Sequence, residues 1–303
     1  MINKKKLGNI EQVRSFYHIT VDDGESAGKR CVLVHNGEVE ALFSKDNALD
    51  IVYLKYCGSN LSFLSKCGFS SVSEPFSARF EGGFLYTCGV DNVGASVEGK
   101  IMHGSIHTRK CDRLCVTDDG ENIKLTCVVS DTELFGKNLK LYREYTVRVD
   151  GVEINDTLVN EGYGVEDYVL LYHINFGYPF LDECLKLSFD SEECIGRTDI
   201  ARQRIANADR IDAPVDLGEE DVFYRKMRTG RVRLTNSELG IFAELGYSTA
   251  EFPWTVQWKS MISGDYALGI EPSTTRFDEY FEMKKIASGE RVNKKIDVKL
   301  GRV

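Results

Sequence analysis

The stretch REYTVRVDGVEINDTLVNEG, residues 143–162, has the pattern of an antiparallel β-hairpin. Apolar and polar residues alternate on both sides of its centre, which is the period of a strand with one buried face. Asp150 and Gly151 are predicted to form the two-residue turn, because Asp-Gly is a preferred pair in tight hairpin turns. The segment therefore predicts two long strands that pair antiparallel.

Strand patterns of this kind recur along most of the chain. Segments rich in β-branched and aromatic residues are bounded by Gly, Asn and Asp turn signals. They span residues 30–35, 48–53, 84–88, 124–129, 139–149, 152–159, 168–174, 231–234 and 240–244. Many short strands with few short helices predict an all-β fold, a large antiparallel β-sandwich formed by one domain over residues 1–303.

Helical patterns are scarce. Residues 60–67 and 219–227 are the two weak helix candidates. No run of helices alternates with the strands, which disfavours a parallel α/β sheet. Residues 190–220 form the most polar stretch, which we interpret as a long excursion from the β core rather than a domain boundary.

Composition and charge exclude some classes of partner. The net charge is −9, whereas nucleic-acid binding asks for a basic face. No apolar run approaches the roughly 20 residues that span a bilayer. The basic start MINKKKLGNIEQ lacks the apolar segment of a signal peptide, so we expect a cytoplasmic protein with neither membrane nor nucleic-acid partners.

The number and setting of the cysteines are those expected of a cytoplasmic protein. The chain has nine, an odd number, and most lie in apolar stretches, which is typical of reduced, buried thiols. Cys111 and Cys115 have a CxxxC spacing, but no second pair lies at the distance of a zinc site.

Two strings place chemistry-bearing side chains within apolar strand sequence. In YHINFGYP, residues 172–179, His173 and Asn175 stand two apart and would share one face of a strand. In YALGIEPST, residues 266–274, Glu271 is a lone carboxylate followed by Pro272, which indicates a strand end. An imidazole and a carboxylate are the groups that a proton-transfer enzyme needs. The alternatives are a core histidine and a buried or edge glutamate in structural roles.

A third string, KIMHGSIHTRKC, contains His103 and His107. Gly104 allows a close approach of backbone or ligand next to His103. On one strand the two histidines would share a face, although Gly104 could break that register. Histidines with Glu271 could also hold a metal, but the chain has neither an HxH pair nor an HExxH motif, so we expect no metal.

Further side chains suit sugar contacts. Arg79 precedes a Gly-Gly turn, and Trp258 and Lys259 follow one another in PWTVQWKSM. A flat apolar ring with nearby donors is typical of a site that recognises hydroxyl groups. The structural alternatives are a core tryptophan and a solvated lysine.

Taken together, several strings resemble the galactose-mutarotase-like superfamily of aldose 1-epimerases, and most closely a branch known as a domain family of unknown function. They occur in the family's order and span nearly the whole chain. The strings are ALDI (48–51), FEGGFLYTCGVDNVG (80–94), HGSIH (103–107), INDTLVNEG (154–162), LYHINFGYP (171–179), WKSM (258–261) and YALGIEP (266–272).

The resemblance implies a β-supersandwich and a ring-opening mechanism without a cofactor. The family's base matches Glu271, its acid matches His173, and a sugar-binding histidine matches His103. The implied substrate is a small reducing sugar with a free anomeric carbon. Asn175, Arg79, Trp258, Lys259 and His107 are further substrate-binding candidates.

One departure concerns substrate recognition. The branch usually carries Arg-Gly before Leu-Asp-Ile, where this chain has Asn47 and Ala48.

Two other functions stay open. A glycosidase or lyase on the same fold would need a second carboxylate, for which Asp265 or Asp50 are candidates. A non-catalytic sugar-binding or sensor protein would keep the pocket without needing Glu271 as a base.

Overall fold

The computed structural model describes residues 4–69, 75–97 and 99–303. Its strands, in chain order, are β1 (Arg14–Thr20), β2 (Arg30–Asn36), β3 (Val39–Ser44), β4 (Ile51–Tyr56), β5 (Ser59–Asn60), β6 (Leu85–Val90), β7 (Cys111–Asp118), β8 (Ile123–Thr132), β9 (Asn138–Arg148), β10 (Gly151–Asn160), β11 (Glu166–Phe176), β12 (Leu185–Gly196), β13 (Asp221–Asn236), β14 (Ile241–Tyr247), β15 (Trp254–Ser260), β16 (Ala267–Ser273), β17 (Lys284–Ile286) and β18 (Arg291–Arg302). Two short helices, α1 (Phe76–Arg79) and α2 (Asp199–Gln203), lie between strands, with single 3₁₀ turns at Lys4–Lys6, Ile10–Gln12, Ile106–Thr108 and Ile205–Asn207.

The strands form two sheets in which neighbouring strands are antiparallel. A five-stranded sheet has the order β1-β2-β3-β4-β5. A thirteen-stranded sheet follows the path β17-β11-β16-β15-β13-β14-β18-β10-β9-β8-β7, with β12 paired to β13 and β6 paired to β11. The all-β antiparallel sandwich predicted from the sequence is confirmed.

The main core lies between the two sheets. It joins apolar residues of β2, β3 and β4 to residues of β8, β9, β10 and β18. Phe43 of the smaller sheet and Tyr145 of the larger one contact each other with ring centroids 4.8 Å apart. Burial of such rings on facing sheets is what holds a sandwich together.

A second, smaller cluster lies on the other face of β11. Because successive strand residues point to opposite faces, Tyr172 and Ile174 enter the main core, while Val169 and Leu171 enter the smaller cluster. We call this group the site cluster; it contains Tyr86, Cys88, Val93, Val169, Leu171, Val222, Tyr224 and Val256. His173 shares the face of Leu171 and so lies beside this cluster.

The predicted hairpin is present, with its turn shifted by one residue. β9 and β10 pair along their whole length, and Val149 and Asp150 form the turn. Gly151 is already the first residue of β10, with φ 148°. A Cβ there would lie 1.9 Å from the carbonyl oxygen of Val298, so Gly151 permits the close packing of β18 rather than the turn itself.

The two helix candidates are wrong. Residues 60–67 run as irregular extended chain with isolated bridges from Ser62 to Phe176 and from Leu64 to Gly82. Residues 221–227 open the long strand β13, which pairs with β12 and β15 at this end. The polar excursion is also shorter than predicted, because β12 continues to Gly196.

In the described part of the chain, none of the helices has the length and apolar character needed to cross a bilayer.

Candidate functional site

The site is centred on two neighbouring strands of the larger sheet. β11 and β16 pair with Leu171 opposite Ser273 and Ile174 opposite Ile270. This register places His173 directly opposite Glu271, on the same face. Nε2 of His173 lies 3.3 Å from Oε1 of Glu271, and both side chains are almost completely buried.

The pair lies in a cavity of about 250 Å³. We call it the central cavity. Its walls come from α1, from the segment between β6 and β7, from β11, β13, β15 and β16, and from the chain that flanks them. Its lining residues are Phe76, Phe80, Gly94, Ala95, Met102, His103, His173, Arg197, Glu220, Val222, Val256, Trp258, Glu271 and Phe277.

His103 enters the central cavity from an irregular segment rather than from a strand. Its backbone has φ 62°, and hydrogen bonds from Gly89 N–H to its carbonyl (2.9 Å) and from its N–H to Gly94 O (3.0 Å) hold it there. A Cβ on Gly104 would lie 2.3 Å from Gly89 O, so the close approach expected at this glycine is one of backbone. The rings of His103 and His173 meet edge to face, with centroids 5.7 Å apart.

Aromatic rings surround the imidazole of His173. The Trp258 ring lies 5.4 Å from it and the Phe80 ring 5.6 Å, centroid to centroid. The indole N–H of Trp258 donates to Oε2 of Glu220 at 2.8 Å, which fixes the orientation of the indole. These contacts give the cavity an apolar wall beside its polar centre.

Gly269 makes room for the carboxylate. It stands two residues before Glu271 on β16, on the same face, and lies opposite Trp258 on β15. A Cβ at this position would lie 2.4 Å from Oε1 of Glu271 and 3.1 Å from Cβ of Trp258. Only glycine therefore leaves the observed place of the carboxylate open.

Burial shifts the pKa values of the titratable groups His173, His103 and Glu271 in the cavity. Burial, followed by the nearby charge of His103, lowers the pKa of His173 to about 3, while the amide of Asn175 acts in the opposite direction. Burial and the charges of Arg79 and Arg197 lower the pKa of His103 to about 4. The pKa of Glu271 is raised well above its ordinary range by burial and then by Glu220.

These directions favour the neutral form of each group, a protonated carboxyl on Glu271 and an unprotonated imidazole on His173. A charged form of either group is poorly solvated in this cavity. The family resemblance implies a carboxylate on Glu271 and an imidazolium on His173. That arrangement contains the same number of protons as a protonated Glu271 with a neutral His173. The two arrangements differ only in which side chain holds the proton.

Two polar atoms of the pair lack a hydrogen bond of standard geometry. Oε1 of Glu271, although 3.3 Å from Nε2 of His173, and Nδ1 of His173 are buried without such a bond to any described residue. Buried polar atoms are normally paired, and those left unpaired tend to mark functional positions. Both belong to the groups that the sequence singles out for proton transfer.

Arg79 and Asn175 lie behind the wall of the central cavity, not in it. The guanidinium of Arg79, at the end of α1, donates to the hydroxyl of Tyr86 and packs over the Phe76 ring at 5.0 Å. The amide nitrogen of Asn175 donates to the carbonyl oxygens of Gly83 and of His173, both at 3.1 Å. Both side chains therefore support residues that line the cavity.

Lys259 points away from the central cavity. It follows Trp258 on β15, and adjacent strand residues face opposite sides of the sheet. Its ammonium donates to the carbonyl oxygens of Asn207 (3.1 Å) and Arg210 (2.6 Å). Since Trp258 lines the cavity, the two neighbours could not both have contacted one substrate there.

His107, unlike His103, does not line the central cavity. It lies in a single 3₁₀ turn and stacks on the Tyr86 ring, with centroids 3.6 Å apart. Its Nδ1 lies 2.7 Å from Asp50 Oδ2 and its Nε2 lies 3.4 Å from Glu81 Oε1. Burial opposes the charged form, but these two carboxylates outweigh it and raise the pKa of His107.

Asp50 continues this contact into a buried ionic network. The guanidinium of Arg143 is bonded to Asp50 at 2.6 Å and to Asp156 at 2.7 Å, and Tyr172 donates to Asp156 at 2.5 Å. All of these groups are buried in the main core. The network links the residue before β4 to β9, β10 and β11, and it packs against the back of the site through Tyr86 and His107.

Asn47, where the chain departs from the Arg-Gly pattern of the family branch, contacts His107 beside this network. The side-chain oxygen of Asn47 accepts from Lys29 Nζ at 2.8 Å, and its nitrogen lies 3.2 Å from Nε2 of His107. Asn47 is not among the residues that line the central cavity. The departure therefore changes the surroundings of His107 directly, and those of the central cavity at most indirectly.

Several lining residues have no clear signal in the sequence. Arg197 follows the last residue of β12, and Glu220 belongs to an acidic run in the polar excursion. Phe76, Phe80 and Phe277 resemble ordinary core aromatics when the sequence is considered alone. Only the packing of their segments around β11 and β16 brings them to the cavity.

Within residues 4–69, 75–97 and 99–303, no three or more His, Cys, Asp and Glu side chains are grouped to hold a metal ion. The absence of a metal requirement stays a prediction, for which activity after chelation is the test.

Solved structures share this fold along nearly the whole chain. A candidate aldose 1-epimerase from Klebsiella pneumoniae superposes with a TM-score of 0.83 at 16% identity, covering 95% of this chain and 88% of that one. A galactose mutarotase-like protein from Clostridium acetobutylicum gives a TM-score of 0.74 at 14% identity, covering 96% and 100%. Another galactose mutarotase-like protein, from Lactobacillus casei, gives 0.63 at 13% identity, covering 89% and 100%.

These similarities establish the galactose-mutarotase-like fold that the sequence resemblance implied. Comparison with curated proteins finds no significant match. A family model described as "Domain of unknown function (DUF4432)" matches residues 26–293. The match covers most of the chain, which therefore belongs to this family.

Proposed function

We propose that this protein is a mutarotase, an aldose 1-epimerase that interconverts the anomers of a free reducing sugar. The observation that carries the proposal is the direct opposition of His173 and Glu271, 3.3 Å apart, in a small cavity lined by aromatic rings. Two groups that share one mobile proton are what ring opening requires. The solved structures with this fold that are named as mutarotase-like or as candidate epimerases support the same class of reaction.

Ring opening moves two protons and breaks one bond. One group of the pair takes the proton of the anomeric hydroxyl, and the C1–O1 bond becomes a carbonyl. The C1–O5 bond breaks, its electron pair goes to the ring oxygen, and the other group supplies a proton there. Rotation about C1–C2 and the reverse transfers close the ring on the other face, so the pair regains its starting protonation.

The pair can begin this cycle in either of two forms. With the proton on Glu271, the carboxyl protonates the ring oxygen and neutral His173 accepts the anomeric proton. With the proton on His173, the roles are those that the family resemblance implies. Burial favours the first form in the free protein, and hydrogen bonds from sugar hydroxyls to the carboxylate would favour the second.

Hydrolysis of a glycosidic bond fits the site less well. It needs two carboxylates about 5–9.5 Å apart around the scissile bond. Asp265 is paired with Lys66 at 2.7 Å, and Asp50 lies in the buried ionic network. The second carboxylate that lines the cavity, Glu220, already accepts the Trp258 indole N–H and is exposed to solvent.

The direct test is magnetisation-transfer NMR on a panel of free aldoses, with and without protein. Glu271→Gln keeps the size of the side chain but cannot exchange a proton, so exchange should fall by about 10²-fold or more. Glu153→Gln is the matched control, since Glu153 is a strand glutamate paired with Lys295 at 3.0 Å outside the cavity.

The same experiment separates catalysis from binding alone. If sugars bind but neither wild type nor Glu153→Gln accelerates exchange above the buffer rate, the protein is a sugar-binding or sensor protein. If Glu271→Gln exchanges anomers as fast as the wild type, Glu271 has a structural role and the proposed mechanism is wrong.

A further inference from the structure

A second recess adjoins the central cavity. Its volume is about 300 Å³, and Ala95, Arg197 and Phe277 line both spaces. We call it the outer recess. Its lining residues are Asp91, Asn92, Val93, Ala95, Val97, Lys100, Arg197, Phe277, Asp278 and Phe281.

The size of the two spaces suggests how they are used. Sites for small molecules typically enclose about 300–1,000 Å³. The central cavity alone, at about 250 Å³, lies below that range and has room for one sugar ring. A substrate that filled both spaces would consist of two units, with its reacting end at His173 and Glu271.

The chemistry of the outer recess suits a sugar ring. Phe281 offers an aromatic face and is 40% exposed, while Phe277, with the Arg197 guanidinium over its ring at 5.0 Å, forms the wall shared with the central cavity. Polar groups of both kinds surround them: the carboxylates of Asp91 and Asp278 and the cations of Lys100 and Arg197. A pyranose has one apolar face and hydroxyls that both donate and accept, which matches this mixture.

We propose that the outer recess binds a second sugar residue, so that the preferred substrate is a reducing disaccharide or the reducing end of a longer saccharide. The reducing residue occupies the central cavity, and the residue linked to it packs on Phe281. This inference deepens the proposed mutarotase function and rests on it.

The test compares glucose with glucose disaccharides linked 1→3, 1→4 and 1→6, each with a free reducing end. Exchange rates at the reducing anomeric carbon give kcat/KM for each sugar. At least one disaccharide should exceed glucose by about 10-fold, the gain expected from one aromatic stacking contact. Galactose beside its 1→4-linked and 1→6-linked reducing disaccharides extends the panel to a second hexose.

Phe281→Ala tests the assignment to the outer recess. Phe281 lines that recess and not the central cavity, so the ratio of disaccharide to monosaccharide kcat/KM should fall by about 10-fold towards unity. Tyr280→Ala is the matched control. It removes a neighbouring ring that is 65% exposed and lines neither space, and it should leave the ratio as in the wild type.

Binding of monosaccharides and disaccharides to Glu271→Gln, measured by saturation-transfer NMR, separates the hypothesis of a sugar site in the outer recess from the hypothesis of a mutarotase. Tighter, Phe281-dependent binding of a disaccharide, without anomer exchange by the wild type, would support the recess and reject the mutarotase. Exchange of monosaccharides with no advantage for any disaccharide would support the mutarotase and overturn the recess. A preference for sugar phosphates over every neutral sugar would also overturn it.

Discussion

His173 and Glu271 lie directly opposite each other on two adjacent antiparallel strands, β11 and β16. They are 98 residues apart in the chain, yet the strand register alone brings Nε2 and Oε1 to 3.3 Å. The pair is therefore carried by the sheet rather than by loops. Rigid strands hold two proton-transfer groups more accurately than flexible segments can.

Gly269→Ala should slow anomer exchange by about 10²-fold with little effect on the fold. The new Cβ would lie 2.4 Å from Oε1 of Glu271, so the carboxyl must move away from His173. Misplacement of a catalytic group by about 1 Å costs on the order of 10²-fold in rate. Gly246→Ala is the control, because its Cβ would meet nothing closer than 3.9 Å, at Asp297. Unchanged anomer exchange in Gly269→Ala would show that the carboxyl position is not critical.

The pH dependence of kcat/KM should lack a step near pH 6.5, where an ordinary histidine titrates. Burial lowers the pKa of His173 to about 3, so the imidazole stays neutral down to that pH. On the alkaline side, activity falls once Glu271 loses its proton, since its pKa is raised. Exchange rates corrected for buffer catalysis give the profile. An acid limb centred near 6.5 would mean that His173 has the pKa of an exposed histidine.

Glu271→Gln should raise the melting temperature, increasingly so as the pH rises. The folded state raises the pKa of Glu271, so its contribution to stability is fully present below the ordinary value of 4.5 and is lost as the pH rises towards the folded pKa. Glutamine has no such dependence. Melting curves should coincide near pH 4.5 and differ by at least about 2 °C near pH 8. A constant difference between the two proteins, or a wild type more stable than the variant at pH 8, would contradict the burial argument.

Arg143→Ala should destabilise the protein by about 3–5 kcal/mol, because it removes the buried cation between two buried carboxylates. Asp50 keeps only its contacts with His107 and Thr87, and Asp156 keeps the Tyr172 hydroxyl. Arg148→Ala is the control. Arg148 also pairs with two aspartates, Asp150 and Asp297, but it lies partly exposed, and such pairs contribute about 1 kcal/mol or less. Urea unfolding measures both. Similar free energies of unfolding for the two variants would show that water reaches the buried network.

The fold class could be predicted because most strands have one buried face and one exposed face. β9 alternates buried and partly exposed residues from end to end, and its sequence shows the same period. The start of β13 does not, since residues 221–225 are all buried between β12 and β15. Without alternation, a short segment of this kind is compatible with helix or strand. For this reason the helix predicted at residues 219–227 is wrong.

The sequence by itself determined the strand period, the all-β class and the placement of His173 and Glu271 as polar groups within apolar strands. Those features depend on neighbours one or two residues away. Only the tertiary structure decided that Arg197, Glu220 and Phe277 complete the site, and that His107 and Lys259 do not line it. It also decided the directions in which the pKa values of the pair shift, because the pKa of a buried group is set by side chains that surround it in space and are distant in the chain.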